Sequence, residues 1–216
     1  MEGRELIVRR AAKFFRDGDL VNLGIGMPTQ VANYLPEGVE IQLQSENGFI
    51  GIGPTPAEDA WDHDVVNAGG QPASILAGGC TFDSCMSFGL IRGGHVNATV
   101  LGALEVDQEG NLANWIIPGK KVPGMGGGMD LVAGANQVIV TMEHCTKSGA
   151  PKILKHCSLP LTAAHEVDYI VTELCVLHYN GQGLVLEELA PGVTVEEVRA
   201  KTEADLMIPD EIGCMV

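Results

Sequence analysis

The sequence predicts an α/β protein, and three observations lead there. Period-2 and wholly apolar runs alternate with segments of helical spacing along the whole chain. Hydrophobic residues make up 45% of the 216 positions, enough for a sizeable core. The 28 glycines sit in short clusters rather than a low-complexity tract, which points to tight turns and close backbone approach. No linker or repeat divides the chain, so residues 1–216 are expected to form a single domain.

In order, Arg4 to Arg16 has an amphipathic helical pattern with Ile7, Ala11, Phe14 and Phe15 on one face and Arg9, Arg10 and Lys13 on the solvent side. Asp17-Gly18 stops it. Leu20 to Leu23 is a short strand, and Pro28 suits the first turn of a helix over Thr29 to Leu35. After the turn Pro36-Glu37-Gly38, the run Val39 to Gln44 alternates as a half-buried strand. Gly51 to Asp64 reads as an irregular surface loop, and Val65 to Gly70 returns to the interior. Phe82, Cys85, Met86 and Gly89 recur at helical spacing, and Gly93-Gly94 ends that helix. Thr99 to Val106 is a strand turned by Asp107 to Gly110. Lys120 to Gly128 is a glycine-rich loop, while Gln137 to Met142 and Tyr169 to Leu174 are buried strands. Cys175 to Glu188 forms a hairpin through Asn180-Gly181-Gln182-Gly183. Thr194-Val195-Glu196-Glu197 is a capping box opening a helix to about Asp205.

Composition excludes several functions. A formal net charge of −15 argues against nucleic acid, whose phosphates need clustered Lys and Arg. No apolar run approaches a membrane span and no leader pattern opens the sequence, so a cytoplasmic location is the default expectation. The six cysteines show no CxxC pair and no zinc-like spacing, and neighbouring His144 and Cys145 would point oppositely in a strand. No metal site is expected.

The chemistry concentrates at Ser45-Glu46-Asn47-Gly48. Glu46 ends a strand and precedes an Asn-Gly turn, on the parity of Gln42 and Gln44. A solvated turn residue is the plain reading of such a glutamate. Three backbone platforms compete with it. Asn22-Leu23-Gly24-Ile25-Gly26 runs from a strand into a helix; it lacks the third glycine of a dinucleotide fingerprint, because Thr29 stands there, but offers little side-chain bulk to an approaching anion or carbonyl. Gly124-Met125-Gly126-Gly127-Gly128-Met129-Asp130 can turn successive N–H groups inward as an oxyanion nest and does not match a P-loop. Asn67-Ala68-Gly69-Gly70-Gln71 is a third small-residue turn. A carboxylate is ionised near neutrality and needs no base to act as a nucleophile. Together with a glycine nest it could attack a thioester and move a group between two carboxylic acids.

At this point the residues resemble a known family. Leu43 to Gly51 resembles the active-site signature of the family I coenzyme A transferases, specifically their β subunits. Val21 to Gly26, Ile91 to His95, Ala113 to Lys120 and Pro123 to Leu131 resemble that family too, in its order, and the likeness runs from about residue 5 to 205. The resemblance implies an open mixed or parallel sheet with helices packed around it. It also implies a ping-pong transfer of CoA between short-chain acids, acetate or butyrate and acetoacetate, through a glutamyl-CoA thioester on Glu46. In it Gly127 and Gly128 match backbone contacts to the thioester oxygen, and Asn22 matches a residue near the reacting carboxylate. Gly24, Gly26 and Asn47 complete the expected site. No cofactor is implied, the CoA thioester being substrate. The implied partner is an α subunit in an α2β2 assembly, since the glycine-rich motif of that chain is missing from this sequence. Gly70 stands where ketone-body enzymes of mammals carry Lys, which weakens any expectation of a succinyl donor. An acyl-CoA hydrolase on the same scaffold and a non-catalytic ligand-binding regulator are the alternatives.

Overall fold

A computed structural model describes residues 3–120, 122 and 124–215. In chain order the elements are α1 Gly3–Ala12, β1 Leu20–Leu23, a 3₁₀ helix Met27–Tyr34, β2 Gln42–Ser45, β3 Phe49–Ile52, a 3₁₀ turn Glu58–Ala60, β4 Ile75–Thr81 and α2 Ser84–Arg92. There follow β5 Ala98–Gly102, β6 Glu105–Asp107, β7 Leu112–Ala113, α3 Gly128–Gly134, β8 Val138–Thr141 and β9 Ile153–Leu154. The chain continues through β10 Tyr169–Val171, β11 Cys175–Tyr179, β12 Leu184–Leu189, α4 Val195–Lys201, β13 Leu206–Met207 and β14 Gly213–Cys214.

The main sheet runs β13-β12-β11-β10-β8-β5-β1-β2-β3-β4, with β14 also on β12. Its centre, β10-β8-β5-β1-β2, is parallel, and antiparallel β3 and β4 extend one side while β11 and β12 extend the other. The open mixed sheet of an α/β fold is therefore present. Side chains at paired positions share a face. On one face Val21, Ala98, Val100, Ile139, Val171 and Val176 bury the apolar stripe of α1. On the other, Leu101, Val138, Val140 and Ile170 form a second core, and Ile91 and Leu131 join α2 to α3. A three-stranded sheet β7-β6-β9 branches off after β5.

Several expectations are corrected. The segment after Gly26 is 3₁₀ rather than α: Pro28 lacks an N–H, and the Gly26 carbonyl accepts from both the N–H and the hydroxyl of Thr29, an i to i+3 closure. Val39 to Ile41 stays outside the sheet, because Glu40 donates to the Asp17 carboxylate and accepts from Gly18 N–H. The strand expected over 99–106 is two strands in different sheets, broken after Gly102. The loop expected from Gly51 overlaps β3, and β4 was not expected at all. Val65 to Gly70 does not return to the interior; Ala68, Gly69 and Gly70 are exposed, and Asn67 Oδ1 accepts from Gly69 and Gln71 N–H to make a local turn. In α2 the buried side chains are Ser87 and Ile91, whereas Met86 is 58% exposed. Arg10 is no solvent residue: it makes a two-bond pair with Glu188 at 2.6 and 2.8 Å and lies over Phe14. The last helix ends at Lys201, short of Asp205, with Thr194 accepting from Glu197 N–H at its start. Lys121 and Pro123, within the expected glycine-rich loop, lie outside the described residues.

Candidate active site at the carboxyl end of the parallel strands

β1 and β2 run parallel and end side by side, so Gly24-Ile25-Gly26 and Glu46 emerge at the same edge of the sheet. In open α/β sheets ligands bind there, where strand order reverses, and here the order reverses around β1, with β2 on one side and β5 on the other. Ser45 C=O accepts from Gly48 N–H at 3.0 Å, closing a turn that carries Glu46 and Asn47 at its centre. Only glycine fits at position 48: its φ is +133° and an added Cβ would lie 2.1 Å from Phe82 O. Phe82 N–H in turn donates to Gly48 O at 2.8 Å, so the turn is fastened to the residues that lead into α2.

Glu46 is half-buried and points at the glycine-rich loop. Its Oε1 accepts from Gly127 N–H at 2.9 Å. A Cβ on Gly127 would sit 3.0 Å from the Glu46 carboxyl carbon, and one on Gly126 3.2 Å from Oε1, so the bare backbone is what admits the carboxylate. The bland surface-turn reading of Glu46 does not fit this geometry. Gly128 differs from Gly127: its N–H closes a turn onto Met125 O at 3.0 Å, and a Cβ added to it would meet Thr162 Cγ2 at 3.8 Å rather than Glu46.

Asn22 is buried on β1, in register with Gln44. Its Nδ2 donates to Gln44 Oε1 at 2.7 Å and to Gln44 O at 3.2 Å, so both amide hydrogens are engaged within the sheet. Gln44, expected on a solvated polar face, is buried beneath α2 and donates to Ser87 Oγ at 2.8 Å. Gly24 N–H donates to Val100 O, and a Cβ there would lie 3.0 Å from that oxygen, which explains glycine at this β1–β5 contact. Gly26 has φ +90° and caps the 3₁₀ helix. Asn47 turns outward and donates to Val66 O at 2.8 Å, while Ser45 Oγ accepts from Ala68 N–H at 3.0 Å. These two bonds bring the third small-residue turn against the flanks of Glu46. Ile25, 79% exposed, stands at the same rim.

The structure sets Gly126 and Gly127 against the Glu46 carboxylate and links Asn22 through Gln44 and Ser87 to the turn that carries it. Gly24 and Gly26 lie past the end of neighbouring β1, and Asn47 and Gly128 bond elsewhere. A serine on the buried face of an otherwise apolar helix was the available signal for Ser87. The larger of two described cavities, about 380 Å³ and lined by Arg4, Glu143, Cys145, Lys147 and Glu173 among others, does not include Glu46. The smaller, about 200 Å³, reaches Asn47 and Gly48 but not Glu46 either. Glu46 itself is half-buried, with its carboxylate against Gly126 and Gly127.

The class that this fold and site define is matched by the coenzyme A transferase family model, which covers residues 4–201. The beta chain of the acetate CoA-transferase of Haemophilus influenzae is 61% identical over 98% of this chain and 94% of its own length. One chain of a probable succinyl-CoA:3-ketoacid coenzyme A transferase of Bacillus subtilis is 50% identical over 98% of each. The chain belongs to the coenzyme A transferase family. An acyl-CoA transferase of Escherichia coli O157:H7 superposes with a TM-score of 0.77 at 22% identity, covering all of this chain, which spans 43% of that longer one; that likeness supports the fold. Among the described residues no helix is long and apolar enough to cross a membrane.

Proposed function

We propose that this chain is the nucleophile-bearing β subunit of an acyl-CoA:carboxylate CoA-transferase, acting on short-chain acids such as acetate and acetoacetate. The observation that carries the reading is Glu46 Oε1 held 2.9 Å from Gly127 N–H, where Gly126 and Gly127 leave no side chain in the way. A Glu46 oxygen attacks the acyl-CoA carbonyl, and the oxyanion that forms takes the Gly127 N–H that the resting carboxylate occupies. Collapse expels CoA thiolate and leaves an acyl-glutamyl anhydride. The thiolate then attacks the glutamyl carbonyl of the anhydride, releasing the first acid and leaving a Glu46–CoA thioester. An incoming carboxylate attacks that thioester and reverses the sequence, leaving as its own CoA ester. No step needs a metal or a redox cofactor.

A half-buried Glu46 that lines neither cavity suits an incomplete pocket. An α subunit covers it and supplies the rest of the CoA site, in an α2β2 assembly. Acetate is favoured over succinate as the small acid because Gly70 presents no cation in the turn beside Glu46.

The test uses the chain co-purified with its partner and incubated with acetoacetyl-CoA. A CoA-sized mass increment on the Glu46 peptide, removed by borohydride or hydroxylamine, is the expected result. Full activity in Glu46→Ala would sink the mechanism. Saturating acetate should accelerate acyl-CoA consumption; indifference to acetate would identify a hydrolase instead.

A further inference from the structure

The turn that carries Glu46 is tied to helix α2 by a buried chain of hydrogen bonds. Ser87, fully buried on the inner face of α2, has its Oγ 3.5 Å from Ser45 O. That carbonyl is the one that closes the Glu46 turn by accepting Gly48 N–H. A hydroxyl has a single proton. With that proton directed at Ser45 O, Ser87 Oγ is an acceptor on its other side, and Gln44 Nε2 donates to it at 2.8 Å. The Gln44 amide is thereby oriented with Oε1 toward β1, where it accepts from Asn22 Nδ2 at 2.7 Å. The chain is directional, from Asn22 through Gln44 and Ser87 to the carbonyl next to the reactive glutamate.

The other end of α2 holds the other half of the site. Arg92 Nε donates to Asp130 Oδ1 of α3 at 2.7 Å, and a Cβ on Gly134 of α3 would lie 2.3 Å from Ile91 O, so the two helices meet backbone to backbone. The first turn of α3 takes Gly127 O as the acceptor for Leu131 N–H at 2.9 Å. One rigid helix therefore touches the Glu46 turn at Ser87 and the helix that fixes Gly127 at Ile91 and Arg92.

We propose that Ser87 and Gln44 are positioning residues for CoA transfer: they hold the Glu46 turn at the distance from the Gly127 amide at which the carboxylate can attack. Neither touches substrate. The inference rests on the reading of Glu46 as nucleophile. A misplacement of about 1 Å in a reacting group costs on the order of 100-fold in rate, so a modest shift of this turn is a large kinetic effect.

Ser87→Ala removes the acceptor of Gln44 and the donor to Ser45 O. Gln44→Met keeps the volume and leaves the Ser87 hydroxyl on Ser45 O, but cuts the link to Asn22. Each is co-expressed with the partner chain, and CoA loading of Glu46 at saturating acetoacetyl-CoA is followed by rapid quench and mass spectrometry. The expected result is a full final loaded fraction reached about 10- to 100-fold more slowly for Ser87→Ala and about 10-fold more slowly for Gln44→Met, with unchanged KM for acyl-CoA. A packing role alone would lower the loaded fraction and leave the rate of the active fraction at wild type, and that outcome overturns the proposal. If Ser87→Ala does not assemble, Gln44→Met carries the test on the same criterion. Wild-type protein that acquires no CoA on Glu46 fails the underlying reading first, and is distinguished by needing no variant.

Discussion

Two buried polar clusters lie toward the carboxyl side of the parallel strands, one within β1 and β2 beneath α2 and the other just past β8 and β10. In the first, Asn22, Gln44 and Ser87 hand hydrogen bonds toward the turn of Glu46. In the second, His144 lies between two threonines, Nδ1 3.0 Å from Thr172 Oγ1 and Nε2 2.9 Å from Thr202 Oγ1. Thr202 gives its proton to Val198 O at 2.8 Å, so it accepts from Nε2–H and leaves Nδ1 as the acceptor. Burial, with Lys201 and Lys152 adding to it, lowers the His144 pKa from 6.5 to about 4. Burial likewise pushes the neighbouring Cys175 thiol up to about 12. The second cluster thus carries strongly displaced groups and would attract a search for catalytic residues. Its bonds, however, run from Thr172 through the His144 ring and Thr202 to a backbone carbonyl, Val198 O, beside a neutral thiol. The first ends on Ser45 O, the carbonyl of the residue before Glu46. Both chains of bonds end on a backbone carbonyl, and the two clusters differ in what lies beside it: the turn of Glu46 for the first, the body of α4 for the second.

The comparison can be broken by changing one cluster and watching rate and stability separately. Glu46→Gln removes the nucleophile and should lower turnover by ~10⁴-fold or more with little change in melting temperature; turnover within tenfold of wild type would remove the site from the first cluster altogether. Gly127→Ala places a Cβ 3.0 Å from the Glu46 carboxyl carbon and should cost ~100-fold in kcat by displacing the carboxylate.

For the second cluster the expected effect is on folding. His144 is neutral in the folded state down to about pH 4, while the unfolded chain protonates it near 6.5. The unfolded state therefore binds more protons between those values, so the stabilisation is full above pH 6.5 and is lost as pH falls toward 4, by about 3 kcal/mol. Urea midpoints from pH 7 to 4 should show this loss, and His144→Gln should flatten it. Thr202→Val leaves Nε2–H without its acceptor and should cost about 1–2 kcal/mol of stability while CoA loading per folded molecule keeps its rate. A rate loss in that variant would erase the distinction between the clusters.

Much of this was legible in the residues. Glu46 and the glycine nest were readable because each needs a local pattern: a strand running into Asn-Gly, and consecutive glycines that free backbone N–H groups. The hairpin through Asn180 and the cap at Thr194 follow the same logic. The fine assignment of donors was not readable. Gly127 and Gly128 are adjacent and chemically identical, and only the turn onto Met125 O separates their roles. Asn22 could be placed near the site, but its amide is spent on Gln44, a cross-strand partner fixed by sheet register. Strand β4 escaped because Gly78-Gly79 breaks any alternation. Gly78 takes φ +88°, and Gly79 answers a tertiary need: a Cβ on Gly51 would lie 2.9 Å from Gly79 Cα across the ladder. Arg10 was placed in solvent because helical periodicity says nothing of Glu188, 178 residues away.

That last pairing bears on how the protein is made. Helix α1 leaves the ribosome ahead of the strands it packs on, and its apolar face joins a cluster completed by Val176, Ala190 and Met215. Its one strongly buried ion pair also waits for Glu188. The central strands β1, β2 and β5 can associate while synthesis continues, but the side of the sheet that α1 covers cannot close until the C-terminal hairpin emerges. A nascent chain stalled before residue 188 would present Ile7, Val8 and Ala11 to solvent or to a chaperone. Helix α1 is thereby a late event in folding although it is translated before every strand that it covers.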